Sequence, residues 1–203
     1  EIGTVQPIDE VVAIAAEYGI PVHSDAVQAV GSVPVDFASS RLDALALTGH
    51  KLGGPMGVGA LVVRRELAVT QLMHGGGQER DIRSGTLNTP AIAGLAAAFT
   101  WSVDHVAEHA TRLAQLRDRL VAGVQQAVPD AIYNGASDPA QRLPGIAHLK
   151  FPGCEGDGLL MLLDAKGISC STGSACNAGV AQPSHVLLAM GCDEEFARSS
   201  LRF

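Results

Sequence analysis

Ala44-Leu45-Ala46-Leu47-Thr48-Gly49-His50-Lys51-Leu52-Gly53-Gly54-Pro55 is the stretch on which the fold assignment turns. Residues 44–47 are continuously apolar, as expected of a strand buried in a parallel sheet. Residues 48–57 form a glycine-rich loop, and residues 60–63 make another strand. Upstream, residues 7–18 carry Ile8, Val11, Val12, Ala15 and Ala16 on one face of a helix, and Gly19 stops it. A short strand over 20–23 leads into Ser24-Asp25. Helix, strand, loop and strand in this order predict an α/β sheet covered on both faces.

Open α/β sheets gather ligand groups at the carboxyl ends of their strands. Lys51 follows such an end. A lysine there is ordinarily a solvated charge; desolvated among glycines, it has a lowered pKa and forms Schiff bases. Thr48 and His50 beside it can hold a phosphate. Asp25 ends the preceding strand in His23-Ser24-Asp25-Ala26-Val27-Gln28. It reads either as a helix N-cap or as the buried carboxylate that keeps a pyridinium nitrogen protonated. Pyridoxal phosphate needs that partner, because its protonated ring is the electron sink. An Asp and a Lys at two strand ends can face opposite ends of one ring system.

Two further loops stand out. His74-Gly75-Gly76-Gly77-Gln78-Glu79-Arg80 with Arg83-Ser84-Gly85-Thr86 reads either as an anion cradle or as a solvated loop. Ser171-Thr172-Gly173-Ser174-Ala175-Cys176-Asn177-Ala178-Gly179 gives Cys176 small, mostly polar neighbours and little apolar cover, which suits an exposed nucleophilic thiol. Cys170, in a strand-like run over 168–170, reads as core.

Composition narrows the remaining classes. Hydrophobic residues make up 47% of the 203 and charged residues 17%, so intrinsic disorder is excluded. The net charge of −7 without a basic run, and only 4% aromatics, disfavour nucleic acid and anionic membranes as partners. No apolar run is long enough to span a bilayer. The four cysteines, spaced C-x15-C, C-x5-C and C-x15-C, fit no zinc template. No metal is therefore expected, including at Cys170, Cys176, His185 and Cys192. Free thiols point to a reducing cytoplasm.

Thr89-Pro90 predicts a helix start reaching about Trp101, and a second helix from near Val103 ends before Pro129. Beyond it the pattern turns α+β: a strand over 146–151, a helix over 156–166, and another helix opened by Pro183. The expected division is residues 1–104 and 105–203. Glu1-Ile2-Gly3 and Leu201-Arg202-Phe203 read as cut ends, so a fragment is expected.

Five motifs together resemble one family, the NifS/IscS-type cysteine desulfurases in their group I form. These are His23 to Gln28, Thr48 to Lys51, His74 to Arg80, Arg83 to Thr86, and the Cys176 loop. The resemblance implies a pyridoxal-phosphate-dependent transferase of the aspartate aminotransferase-like fold, fold type I. Residues 1–104 would be the carboxyl-terminal portion of its large α/β domain and 105–203 most of its small α+β domain. It implies that Lys51 carries the cofactor and moves protons, and that Asp25 pairs with the ring nitrogen. Gln28 would contact the phenolic oxygen, Thr48 and His50 the phosphate, and Thr86 the phosphate of a neighbouring subunit in a homodimer. Cys176 would take sulfur from L-cysteine as a persulfide, releasing L-alanine, and deliver it to an iron–sulfur scaffold or a tRNA-thiolation partner. Arg202 is the choice for the substrate carboxylate, with Arg198 second. A selenocysteine lyase-like enzyme and an inactive binding module are the alternatives.

Overall fold

The computed structural model describes residues 1–173 and 182–203. It divides into two compact units, Pro7–Ala107 and Glu1–Gln6 together with Glu108–Phe203.

The first unit is organised by α1 (Ile8–Glu17), three strands and α2 (Thr89–Asp104). Asp9 and Glu10 place negative charge in the first turn of α1, where the helix dipole favours it. Gly19, at φ +63°, lets Ile20 N–H return to the Ala15 carbonyl and ends the helix. β1 (His23–Asp25) lies parallel to β2 (Ala44–Thr48), and β3 (Gly59–Val63) lies antiparallel on the other side of β2. Val12 of α1 packs with Ala26, Val30, Leu42, Leu45, Leu47 and Leu95 in the core.

Several details differ from the sequence reading. β1 starts at His23, not residue 20, because Pro21 has no N–H and the Val22 N–H is taken by the Asp43 carboxylate at 2.8 Å. Asn88, not Thr89, caps α2, accepting from Ala91 N–H. The sheet is not covered on both faces by described residues: β3 is largely exposed, including Leu61 and Val62.

The second unit holds α3 (Val106–Ala127, entered from the first unit), β4 (Ile132–Tyr133), β5 (His148–Lys150), α4 (Gly156–Asp164), α5 (His185–Ala189), α6 (Glu194–Arg198) and β6 (Ser200–Arg202). The strands form an antiparallel sheet in the order β4-β5-β6. Side chains alternate across a strand, so its two faces differ. Leu149 and Leu201 form the apolar face, and Leu201 and Phe203 help line an apolar groove with α3 and α4. His148, Ser200 and Arg202 occupy the polar face. The strand expected at 168–170 is absent. Gly167, at φ +73°, turns the chain, Ile168 N–H caps α4 through the Leu163 carbonyl, and only Ser171 bridges to Arg202. Cys170 is half-buried rather than core, and burial, with Asp164 second, pushes its thiol pKa up.

His148 is fully buried. Asn134 Nδ2 donates to His148 Nδ1 at 2.9 Å and to Ser200 Oγ at 3.3 Å, which assigns the imidazole proton to Nε2. That Nε2 has no hydrogen-bond partner among the described residues. Glu1 Oε1 is 4.0 Å away, and Ser184 Oγ donates to the same oxygen. Burial brings the imidazole pKa down to about 4 from 6.5, against the pull of the Glu1 carboxylate, and Arg202 reinforces the drop.

The unfolded chain therefore binds this proton more tightly than the folded one. The stability contributed by His148 is complete above pH 6.5 and is lost as the pH falls toward about 4. Urea unfolding followed by circular dichroism should show a loss of up to about 3 kcal/mol across that window. The His148→Leu variant should lack this component of the slope, and parallel slopes for the two proteins would contradict the assignment.

Candidate active site

Register builds the site from the sheet outward. Asp25, the last residue of β1, lies opposite Ala46 of β2, and the Ala26 N–H is held by the Ala46 carbonyl at 2.9 Å. One carboxylate oxygen of Asp25 accepts the Val27 N–H at 2.8 Å, an Asx turn that points the chain toward Gln28. Asp25 and Gln28 are both exposed. Two residues past Ala46, Thr48 ends β2.

The chain then makes a single helical turn over Gly49–Lys51. Gly49 N–H donates to the Val58 carbonyl, while the Gly49 carbonyl accepts from Leu52 and Gly54, all at 2.9 Å. A Cβ on Gly49 would stand 2.7 Å from the Pro55 carbonyl oxygen and 3.1 Å from Val58 Cγ1. One on Gly59 would meet the Leu47 carbonyl oxygen at 2.6 Å. These glycines close the loop against β2 and β3, and the closure sets where Lys51 leaves the backbone.

Thr48 Oγ1 donates to the Val58 carbonyl at 3.3 Å and pairs with His50 Nδ1 at 3.0 Å. With the hydroxyl proton on Val58, Thr48 takes the Nδ1–H of His50, leaving His50 Nε2 as an acceptor. Lys51 is exposed. The desolvated lysine of the sequence reading is not supplied by the described residues. No described residue forms a hydrogen bond or ion pair with its ammonium.

The 71–86 loop is organised by its own side chains. Ser84, 2% exposed, receives Gln71 Nε2 at 2.9 Å and Gly77 N–H at 3.3 Å. Gln71 also meets His74, and Gln78 accepts Gly85 N–H at 2.9 Å. Glu79, Arg80 and Asp81 all have left-handed backbone, φ 50°, 57° and 62°, a strained run held by these contacts. Arg83 donates to the Ser84 carbonyl at 3.3 Å and helps shape the loop. Thr86 follows it, exposed. The roles of Gln71 and Gln78 are not legible in the sequence, because nothing in the pattern distinguishes them from solvated glutamines.

In the second unit, Arg202 is half-buried. Its backbone exchanges hydrogen bonds with Ser171 at 2.7 and 2.9 Å, and no described carboxylate pairs with its guanidinium. Arg198 is exposed and faces Glu194 at 4.0 Å. A half-buried guanidinium without an internal carboxylate suits an anionic ligand better than a surface pair. Cys176 lies outside the described residues. Among these residues no group of three or more His, Cys, Asp or Glu could hold a metal ion, and no helix is long and apolar enough to cross a membrane.

Residues 1–203 match the family Aminotransferase class-V, and the chain belongs to it. It is 59% identical over 202 residues to the IscS-like cysteine desulfurase of Mycobacterium tuberculosis, covering 100% of this chain and 51% of that protein. The structure of a NifS-like protein from Rickettsia africae superposes with a TM-score of 0.88 at 32% identity, over 100% of this chain and 53% of that one. SspA, solved in complex with cysteine, matches at 35% identity and TM-score 0.75, over 100% of this chain and 55% of its own. The chain spans about half the length of the curated relatives it matches.

The family implies pyridoxal phosphate, and the donor set fits it. Asp25 offers a carboxylate oxygen not engaged by Val27. Lys51 offers a free amine on a turn with no room to relax. Thr48 and His50 offer paired polar atoms for a phosphate. Gly49→Ala should lower the unfolding free energy by about 2 kcal/mol and weaken pyridoxal phosphate binding in an absorbance titration. Wild-type stability and affinity in that variant would show that the turn does not set the lysine.

Proposed function

We propose that this chain carries the cofactor and sulfur chemistry of a pyridoxal-phosphate-dependent cysteine desulfurase, which converts L-cysteine to L-alanine and a persulfide on Cys176. The observation that carries this reading is the pairing of β1 with β2, which brings Asp25 and the Thr48–Lys51 turn to the carboxyl ends of adjacent parallel strands. The cysteine in the SspA complex supports the substrate class. Pro7–Ala107 serve as part of the cofactor-binding domain, and Glu1–Gln6 with Glu108–Phe203 as the small domain.

When bound, the cofactor withdraws electrons from the substrate α-carbon. Asp25 would accept the hydrogen bond of the ring nitrogen through the oxygen that Val27 does not use. Gln28 contacts the phenolic oxygen. Thr48 and His50 hold the phosphate, joined by Thr86 from a second copy in a homodimer. Lys51 binds the cofactor covalently at rest and moves protons during turnover. Arg202 takes the substrate carboxylate through its planar fork, and Arg198 stands second.

The Cys176 thiolate attacks the substrate sulfur. The new S–S bond forms as the Cβ–S bond breaks, and the bond pair passes to Cβ, which takes a proton to give alanine. No outside oxidant is needed, because the sulfur moves with its electrons accounted for. The persulfide then passes to an acceptor, an iron–sulfur scaffold or a tRNA-thiolation partner, in the cytoplasm. Cys154, Cys170 and Cys192 are free thiols, in keeping with a reducing compartment.

The test is the visible spectrum of the protein with pyridoxal phosphate, before and after L-cysteine. A yellow band lost in Lys51→Ala and shifted by L-cysteine is expected. Cys176→Ser should keep the band and abolish alanine formation. Undiminished alanine formation in that variant would favour a selenocysteine lyase-like enzyme, and the absence of any Lys51-dependent band would leave a binding module.

A further inference from the structure

The polar face of the second unit holds more chemistry than the desulfurase reading uses. His148 and Arg202 lie directly opposite each other on β5 and β6, so their side chains share one face. Glu1 comes to the same place from the amino-terminal segment, its side chain 4% exposed. An acid, a base and a cation thus crowd together, yet the acid and the cation are not paired with each other.

A nearly buried carboxylate needs donors. Glu1 Oε1 receives the hydroxyl of Ser184, which also caps α5 through Leu187 N–H. His148 Nε2 stands 4.0 Å from the same oxygen, an electrostatic contact rather than a hydrogen bond. Asn134 at Nδ1 forces the ring to present a proton from Nε2, and Asn134 is in turn fixed by Ser200, whose hydroxyl donates to the Phe196 carbonyl at 2.9 Å. The donors therefore diverge from Asn134, one arm ending through Ser200 at the Phe196 carbonyl in α6 and the other at His148, which leaves the imidazole Nε2–H on the Glu1 side. An N–H left unpaired in the interior costs free energy, so packing alone does not explain it.

We propose that His148 is a positioning residue for Arg202: its Nε2–H, 4.0 Å from the Glu1 carboxylate oxygen that Ser184 holds, attracts that carboxylate electrostatically and so keeps Arg202 available to the carboxylate of a substrate. The charged side chains facing His148 are the Glu1 carboxylate and Arg202. Lys150, two residues along β5, is engaged over the Phe196 ring at 4.3 Å. Without the imidazole, Glu1 keeps one donor and turns to the cation on the adjoining strand. That internal ion pair then competes with the incoming carboxylate. The proposal rests on the desulfurase reading only for the identity of the substrate.

The test compares His148→Leu with the double variant Glu1→Gln/His148→Leu in the complete, cofactor-loaded protein. His148→Leu should raise KM for L-cysteine about tenfold, with kcat and the cofactor spectrum unchanged, and the double variant should restore KM. Exchange of the Arg202 Nε–H with solvent, followed by NMR, gives a readout independent of turnover. It should slow in His148→Leu and recover in the double variant. His148→Gln, whose amide reaches the Nε2 position, should behave as wild type, whereas His148→Asn should not. This pair replaces the leucine variant if that one does not fold. A raised KM that Glu1→Gln fails to relieve would make His148 merely structural, and unchanged KM and exchange would overturn the proposal. If the wild-type protein does not turn over L-cysteine, the desulfurase reading falls while the Arg202 exchange still decides this one.

Discussion

The first unit depends on Gly49 having no side chain. Its N–H and carbonyl make three hydrogen bonds within one turn, and the Pro55 carbonyl occupies the space a Cβ would need. The turn cannot open without losing those bonds, and it cannot accept a larger residue without moving the Pro55–Val58 loop. Lys51 therefore leaves a rigid element although its own side chain is exposed. Preorganisation of this kind lowers the entropy cost of holding a reactive group in place. The same turn keeps Thr48 and His50 in register, since Thr48 is tied to Val58, the residue that also receives Gly49.

The acid of the site is positioned by a different device. Asp25 is the final residue of a three-residue strand, too short to be stable alone. It is held because β2 supplies a full parallel partner and Ala26 continues the ladder by one bond. One carboxylate oxygen is spent on the Asx turn and the other has no hydrogen bond to a described residue. No helix follows Asp25, so the N-cap reading is replaced by an Asx turn, which orients the group without using its second oxygen.

The legibility of the sequence follows the range of the forces involved. β2 is readable because an unbroken apolar run has few other solutions, and α2 and α3 because three- and four-residue spacing is local. The start of β1 is not, because the Asp43 carboxylate that satisfies Val22 comes from a distant point in the chain. Residues 168–170 carry strand-like composition, but the turn at Gly167 uses their first N–H to finish α4. Lys51, Asp25, Thr48 and His50 are visible because motif and strand end coincide. The Glu1–His148–Ser184 cluster is not, since residues at the two ends of the chain meet only after folding and no local pattern marks them.

That cluster also bears on why the second unit keeps polar groups inside. Its sheet has an apolar face, where Leu149 and Leu201 are fully buried, and could have been apolar on both faces. Replacing a buried polar cluster by packed hydrocarbon is often neutral or stabilising. An imidazole with an orphaned N–H, a carboxylate and an arginine side by side are a poor way to make a small antiparallel sheet stable. Of these groups Glu1 has its donor in Ser184, while the His148 Nε2–H and the Arg202 guanidinium are not paired with it by a hydrogen bond or a close ion pair. On the proposed reading, that polar face trades packing stability for a guanidinium with no carboxylate partner among the described residues.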